Sequence, residues 1–164
     1  MLNSRTVEMA GGYLGAVSGA AMKSLSQEEV EALAAFRLEV RRYLAFAQRA
    51  AENSGVTMQQ NQALLAIRAA PDQTLTVGEL AELLFLRHHS AVELTNRLET
   101  AGLVVRRKDP QDARKVALAL TQRGSETLAQ LAGDHLKEIQ EHGPELSRSL
   151  RRLIRGAARA RQGD

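Results

Sequence analysis

There is no cysteine and no tryptophan in this 164-residue chain, prolines number only three, and aromatic residues make up 3%. Without thiols the protein has no disulfide, no thiolate metal site and no cysteine redox sensor. With so few rings, the core has to be built from Leu, Val, Ile and Ala, a mixture that favours helix. No uncharged apolar run approaches the roughly 18 residues of a membrane span. The first 22 residues, interrupted by Gly11, Gly12, Gly15 and Gly19, lack the basic start and strong apolar centre of a secretory signal. These features point to a cytoplasmic protein with no membrane partner. Catalytic signatures are missing too: there is no Gly-x-Ser-x-Gly elbow, no phosphate-cradling glycine loop and no His-Glu-x-x-His. Neither an enzyme nor a cofactor is expected.

What is present is positive charge in particular places. The net charge is only +3. Between Val104 and Val116, Arg106, Arg107, Lys108, Arg114 and Lys115 face only Asp109 and Asp112, so this stretch alone equals the excess of the whole chain. A second cluster runs from Arg148 to Arg161, whereas Ser26–Asn53 is close to neutral, with four Arg and five Glu. Localised positive charge is the footprint of a polyanion binder, although a solvated surface carries the same pattern.

Residues 1–24 read either as a flexible arm or as extra sequence upstream of a start at Met22. Residues 25–164 read as one domain. Ser26 and Glu29 form a capping box, in which each side chain bonds the other's backbone N–H, with Leu25 and Val30 as its hydrophobic staple. Val30, Leu33, Phe36, Val40, Tyr43, Leu44 and Ala47 then recur at helical spacing as far as a stop near Asn53–Gly55. A second helix starts at Thr57, with Gln60 three residues later, and Pro71 closes it. A third box, Thr76 with Glu79, opens a short helix through Leu84. After a turn at Leu86–His88, another helix presents Ala91, Leu94, Thr95 and Leu98 on one face and ends at Gly102. Leu103–Arg107 and Lys115–Leu120 have strand character around a turn at Asp109-Pro110-Gln111-Asp112. Thr121 caps a helix carrying Leu128, Leu131, Ala132, Leu136 and Ile139. Gly143-Pro144 is expected to break it, leaving a last helix with Leu146, Leu150, Leu153, Ile154 and Ala157.

Two short helices followed directly by a basic hairpin make a winged helix-turn-helix. Arg97-Leu98-Glu99, Ala101-Gly102-Leu103-Val104, Asp109-Pro110-Gln111-Asp112-Ala113-Arg114 and Leu120-Thr121 stand in the register of the multiple-antibiotic-resistance regulator family, MarR, which the chain resembles from about Gln27 to Ala160. The resemblance implies a mostly α fold with a small β-hairpin wing. Residues 57–120 would be the DNA-binding lobe, and residues 25–54 and 121–164 a dimerisation platform. The apolar faces of the terminal helices, larger than one small lobe can cover, agree with a homodimer. The implied function is a DNA-binding transcriptional regulator, a ligand-responsive repressor on a pseudo-palindromic operator. The alternative is a winged-helix protein-interaction module that never touches DNA.

On this reading Arg87, His88, His89 and Ser90 open the recognition helix, with Glu93 and Arg97 one and two turns on, where side chains meet base edges and phosphates. No metal is expected at His88 and His89, because adjacent helical residues point about 100° apart and no nearby Cys or Asp completes a site. In the wing, Arg114 would enter the minor groove, with Arg106, Lys108 and Lys115 near phosphates and Asp112 shaping the turn. An aromatic or anionic effector, implied by the resemblance, would meet Tyr43, Phe46, Met58, Phe85 and His88, residues for which core packing is the competing role.

Overall fold

The structure, a computed structural model, describes residues 26–108 and 116–162, with side chains as far as residue 156. The expected N-terminal arm and the turn at 109–112 lie outside the described residues. The element order is α1 (Gln27–Asn53), α2 (Met58–Ala69), a 3-10 turn (Pro71–Gln73), β1 (Thr74–Thr76), α3 (Val77–Leu83), α4 (His88–Thr100), β2 (Val104–Lys108), β3 (Val116–Leu120) and α5 (Gln122–Gln162). The fold is mostly helical, with one small antiparallel sheet.

Local chemistry sets the helix ends. Ser26 N–H donates to the Glu29 carboxylate at 2.8 Å, and Glu29 N–H donates to Ser26 Oγ at 3.2 Å. Thr57 with Gln60 and Thr76 with Glu79 close the same reciprocal box at α2 and α3, each cap contributing about 1 kcal/mol. Leu75 and Leu80, on either side of the Thr76 cap, are both buried and staple the chain as it enters α3. α1 and α4 stop at left-handed glycines, Gly55 at φ +71° and Gly102 at φ +68°. At each stop the following N–H reaches back a full turn: Val56 to the Ala51 carbonyl and Leu103 to the Leu98 carbonyl, both at 3.0 Å.

α3 stops the same way with the wrong residue for it. Leu86 N–H donates to the Ala81 carbonyl at 2.8 Å and Phe85 N–H to the Glu82 carbonyl at 3.2 Å, so Phe85 occupies the left-handed position, at φ +54°. A side chain in that region costs roughly 1–2 kcal/mol, and Phe85 recovers little of it by packing, being 80% exposed. Phe85→Gly should therefore stabilise the protein by up to about 1 kcal/mol, the relief of φ strain less the extra freedom glycine has in the unfolded chain. A thermal melt checks this, and a lowered Tm would show that the ring packs usefully after all.

The sheet order is β1-β3-β2. β2 and β3 form the expected hairpin, Val104 opposite Leu120 and Lys108 opposite Val116. β1 was not expected. Its three residues pair antiparallel with β3, Leu75 opposite Leu118. The alternation of Thr74, Leu75 and Thr76 is too short to separate from the staple and cap that the same residues supply to α3.

The described residues divide into two compact units. In the unit of residues 50–132, Leu64, Ile67, Leu80, Leu94, Leu98, Leu118 and Leu131 are sealed from solvent. Ala91 and Thr95 complete the buried face of α4, and the Thr95 hydroxyl donates to the Ala91 carbonyl at 2.8 Å, so its burial leaves no unmet donor. In the unit of residues 26–49 and 133–162, α1 and α5 run antiparallel, since Tyr43 meets His135 while Glu31 meets Arg152. This second unit is poorly covered. Val30, Leu33, Leu38, Leu44, Leu136, Ile139, Leu150 and Ile154 each expose 40% or more of their surface.

The expected break at Gly143-Pro144 does not occur: α5 runs unbroken for 41 residues with Pro144 inside it. Proline in a helix costs about 3 kcal/mol through its missing N–H and its clash with the preceding turn. Part of the usual difficulty is a collision with the Cβ of the residue before it, and Gly143 has none. The apolar stripe also keeps its phase across the proline. Leu128, Leu131 and His135 recur eleven residues later as Ile139, His142 and Leu146, and Leu150 and Leu153 continue the series. That repeat is close to the natural helical period, and a break would have divided one face into two.

Candidate nucleic-acid interface

α4 is two-faced by construction. Ala91, Leu94, Thr95 and Leu98 are buried, and at 3.6 residues per turn His89, Glu93 and Asn96 fall on the opposite side with Arg97 at its border. Arg87 is the N-cap residue, with extended backbone and no side-chain capping bond. Its guanidinium is therefore not spent on the helix end. His88, His89, Glu93 and Arg97 are exposed and Ser90 is half-buried. Among the described residues, none of these ionisable side chains has an ion pair, and Glu93 does not pair with Arg97 four residues on. The first four N–H groups of the helix point in the same general direction as its N-terminal side chains and favour anions.

Directly after α4 the chain turns at Gly102 into β2. Leu103 and Val104 are buried, Val105 is half-buried, and Arg106, Arg107 and Lys108 are exposed. Arg107 and Lys108 make no ion pair among the described residues. Arg106 does. One of its terminal nitrogens bonds the Glu99 carboxylate and the other donates to Asn96 Oδ1 at 2.9 Å. Asn96 and Glu99 lie one turn apart on α4, so a planar guanidinium spans both. Sequence reasoning had paired Glu99 with nothing and had not singled out Asn96. The contact joins residues seven and ten apart across a turn, a separation that helical spacing rules do not cover. Asp112, Arg114 and Lys115 lie outside the described residues.

Residues 54–115 match the sequence model of the MarR family. The lobe is a MarR-family winged helix. No curated protein matches the sequence. Among solved structures the chain is similar to AbsC, a MarR family transcriptional regulator from Streptomyces coelicolor, with a TM-score of 0.66 and 21% identity over 87% of this chain and 100% of that one. It is also similar to Sco3205, a MarR family transcriptional regulator from the same organism in complex with DNA, at TM-score 0.64 and 23% identity over 84% and 91% of the two chains. A mutant of MepR from S. aureus bound to an oligodeoxyribonucleotide matches at 0.57 and 21%, over 78% and 93%. At these identities the likeness is one of fold, and it extends past the matched lobe to most of the chain.

The residues expected to line an effector site fall in both units of the chain. Tyr43 and Phe46 meet on one partner, His135. The Tyr43 hydroxyl lies 3.2 Å from His135 Nδ1, and the Phe46 ring stands edge-on to the imidazole with centroids 5.4 Å apart. Met58 is the half-buried first residue of α2, while Phe85 and His88 are exposed. His135 was missed in the sequence, although it sits on the apolar stripe of α5 between Leu131 and Ile139. Beside Tyr43 the second unit holds a cavity of about 750 Å³, whose wall includes Arg42, Arg49, Ile139, Leu146 and Leu150. Among the described residues no group of three or more His, Asp or Glu could hold a metal ion, and no helix is long and apolar enough to cross a membrane.

Proposed function

We propose that the protein is a transcriptional regulator that binds a pseudo-palindromic operator as a homodimer and acts as a ligand-responsive repressor. The observation that carries the DNA half is the outward face of α4. His89, Glu93 and Arg97 stand there or at its border, with Arg87, His88 and Ser90 at the helix's N-terminal end. Among the described residues none of the ionisable ones has an ion pair, and neither do Arg107 and Lys108 on the adjoining strand. A core-facing helix has no use for that arrangement. A helix in the major groove does: Arg grips G through O6 and N7, Ser and His bond bases or phosphates, and Glu accepts from the cytosine amino group. The two DNA complexes among the similar structures support the same reading. Eight exposed large apolar side chains in the second unit support the dimer, since a monomer would leave all of them partly in water. The effector half rests on the resemblance and on the cavity beside Tyr43. Its wall offers aliphatic surface together with Arg42 and Arg49, but also Glu39, Glu138 and Glu145, with Arg42 paired to Glu39, so it suits a partly apolar ligand and does not by itself select an anion.

Selection of bound sequences from a random DNA pool tests the function directly. A palindrome with half-sites about one helical turn apart is expected. Failure to enrich any sequence would promote the interaction-module alternative. On the selected operator, Arg114→Ala should cost on the order of 1–3 kcal/mol per half-site if the wing reads the minor groove. It should cost less on random DNA, because groove width varies with sequence. Unchanged affinity in a folded variant would remove the wing from the interface.

A further inference from the structure

Arg106 is the first exposed residue of β2. Up to Val104 the strand is held against the lobe by burial, and beyond it the side chains of Arg106, Arg107 and Lys108 leave the core. β3 accompanies β2 along its whole length, with Arg106 opposite Leu118, but that pairing ties the ribbon to itself. What ties the ribbon's outer half to the recognition helix is the Arg106 guanidinium, forked between Glu99 and Asn96. Its side chain is 34% exposed and that of Glu99 30%, so the pair is markedly less solvated than Arg148–Glu145, at 72% and 48%. Water screens it less than an ordinary surface pair. With two nitrogens on two acceptors one helical turn apart, the fork fixes direction as well as distance.

We infer that Arg106 is a positioning residue: through Asn96 and Glu99 it sets the wing's angle and register relative to the recognition helix, and it does not neutralise a phosphate. This rests on the DNA-binding reading above and deepens it. If α4 enters the major groove and the wing reaches the adjacent minor groove, the fork makes the two contacts one rigid reader with a fixed separation along the duplex. Arg106 also offsets the Glu99 charge at the C-terminal end of α4. A phosphate-binding arginine and a positioning arginine leave different signatures. Losing a phosphate contact lowers the log–log salt dependence by about 0.9 per contact, or about 1.8 for two half-sites. Losing a positioning contact leaves the slope alone and blurs the spacing.

The experiment uses the full chain and the selected operator, together with a series in which one base pair is inserted between the segments protected by helix and wing. Wild type should bind the inserted operator at least about tenfold more weakly, the cost of roughly one mismatched position. Arg106→Ala should bind the original operator more weakly with an unchanged salt slope, and should discriminate against the insertion by about threefold or less. Arg106→Lys should behave like the alanine variant, since one ammonium cannot span both acceptors. Glu99→Gln should lose part of the spacing discrimination with the fold intact, which keeps the test available if Arg106→Ala melts. A slope lowered by about two units with spacing discrimination retained would assign Arg106 to phosphate and overturn the inference. So would wild-type discrimination in all three variants. Absence of any selected operator would instead fell the DNA reading, and this inference with it.

Discussion

Gly124→Ala should destabilise the protein by about 3 kcal/mol, at the upper end of what overpacking costs, and lower Tm on the order of 10 °C. Gly124 is the third residue of α5, and a Cβ built there would lie 2.0 Å from the Leu103 carbonyl oxygen and 3.0 Å from its carbon. Neither side of that contact is a side chain that rotates away. The carbonyl is itself engaged, accepting from Thr121 N–H at 3.1 Å, while the Thr121 hydroxyl donates to the Gly102 carbonyl at 2.7 Å and accepts from Gly124 N–H at 3.0 Å. The cap of α5 and the entry to β2 are thus locked together through backbone. Moving Leu103 outward disturbs a residue only 2% exposed and its equally buried neighbour Val104, and with them the base of the wing. Gly133→Ala, further along the same helix, is the control. Nothing lies within 4 Å of a Cβ there, so the ordinary helix preference for alanine should stabilise by roughly 0.5–1 kcal/mol. Opposite signs from one chemical change are the expected result, and similar melting temperatures for the two variants would refute the close approach.

That pair shows where the sequence is legible and where it is not. The capping boxes at Ser26, Thr57 and Thr76 were readable because both partners lie within one turn. The left-handed stops at Gly55 and Gly102 were readable because glycine announces them. Gly124 announced nothing: its φ is unremarkable, and the group it must avoid is 21 positions back in the chain. The same limit explains β1, whose three residues make sense as a strand only beside residues 117–119. Phe85 is the reverse case, a left-handed stop without its usual residue, so propensity pointed away from it. At Pro144 a sound local rule lost to a stripe that stays in phase on both sides of it.

The candidate interface divides along the same line. The buried face of α4 followed from period alone, and its opposite face then had to carry whatever the helix offers outward. Charge counting put Arg106 with the other wing bases, because composition does not distinguish a free guanidinium from an engaged one. Only the fold brings Asn96 and Glu99 beneath it. His135 was invisible for a related reason: an imidazole in an apolar stripe acquires meaning from Tyr43 and Phe46, some ninety residues earlier.

The homodimer proposal makes the other large prediction, since it asks the poorly covered α1/α5 unit to be an interface. Ile139 is 49% exposed, lines the cavity beside Tyr43, and stands in the middle of the α5 stripe. In a monomer, Ile139→Glu would place a carboxylate in water at an already exposed helical site, a change usually worth no more than about 0.5 kcal/mol. In a dimer that covers the stripe, the same carboxylate would be buried without a partner in both copies, at a penalty of several kcal/mol for each. Sedimentation should therefore show wild type as a dimer and Ile139→Glu as a monomer. Operator affinity should fall on the order of a thousandfold, toward the level of non-specific binding, because one half-site is then gripped without the other. Ile139→Leu should change neither. The winged-helix lobe contains none of the altered residues, so residual binding to random DNA should keep the salt dependence of a single lobe. A variant Ile139→Glu that sediments as a dimer and binds the operator normally would place the interface elsewhere, and the exposed stripe would then have to face some other partner.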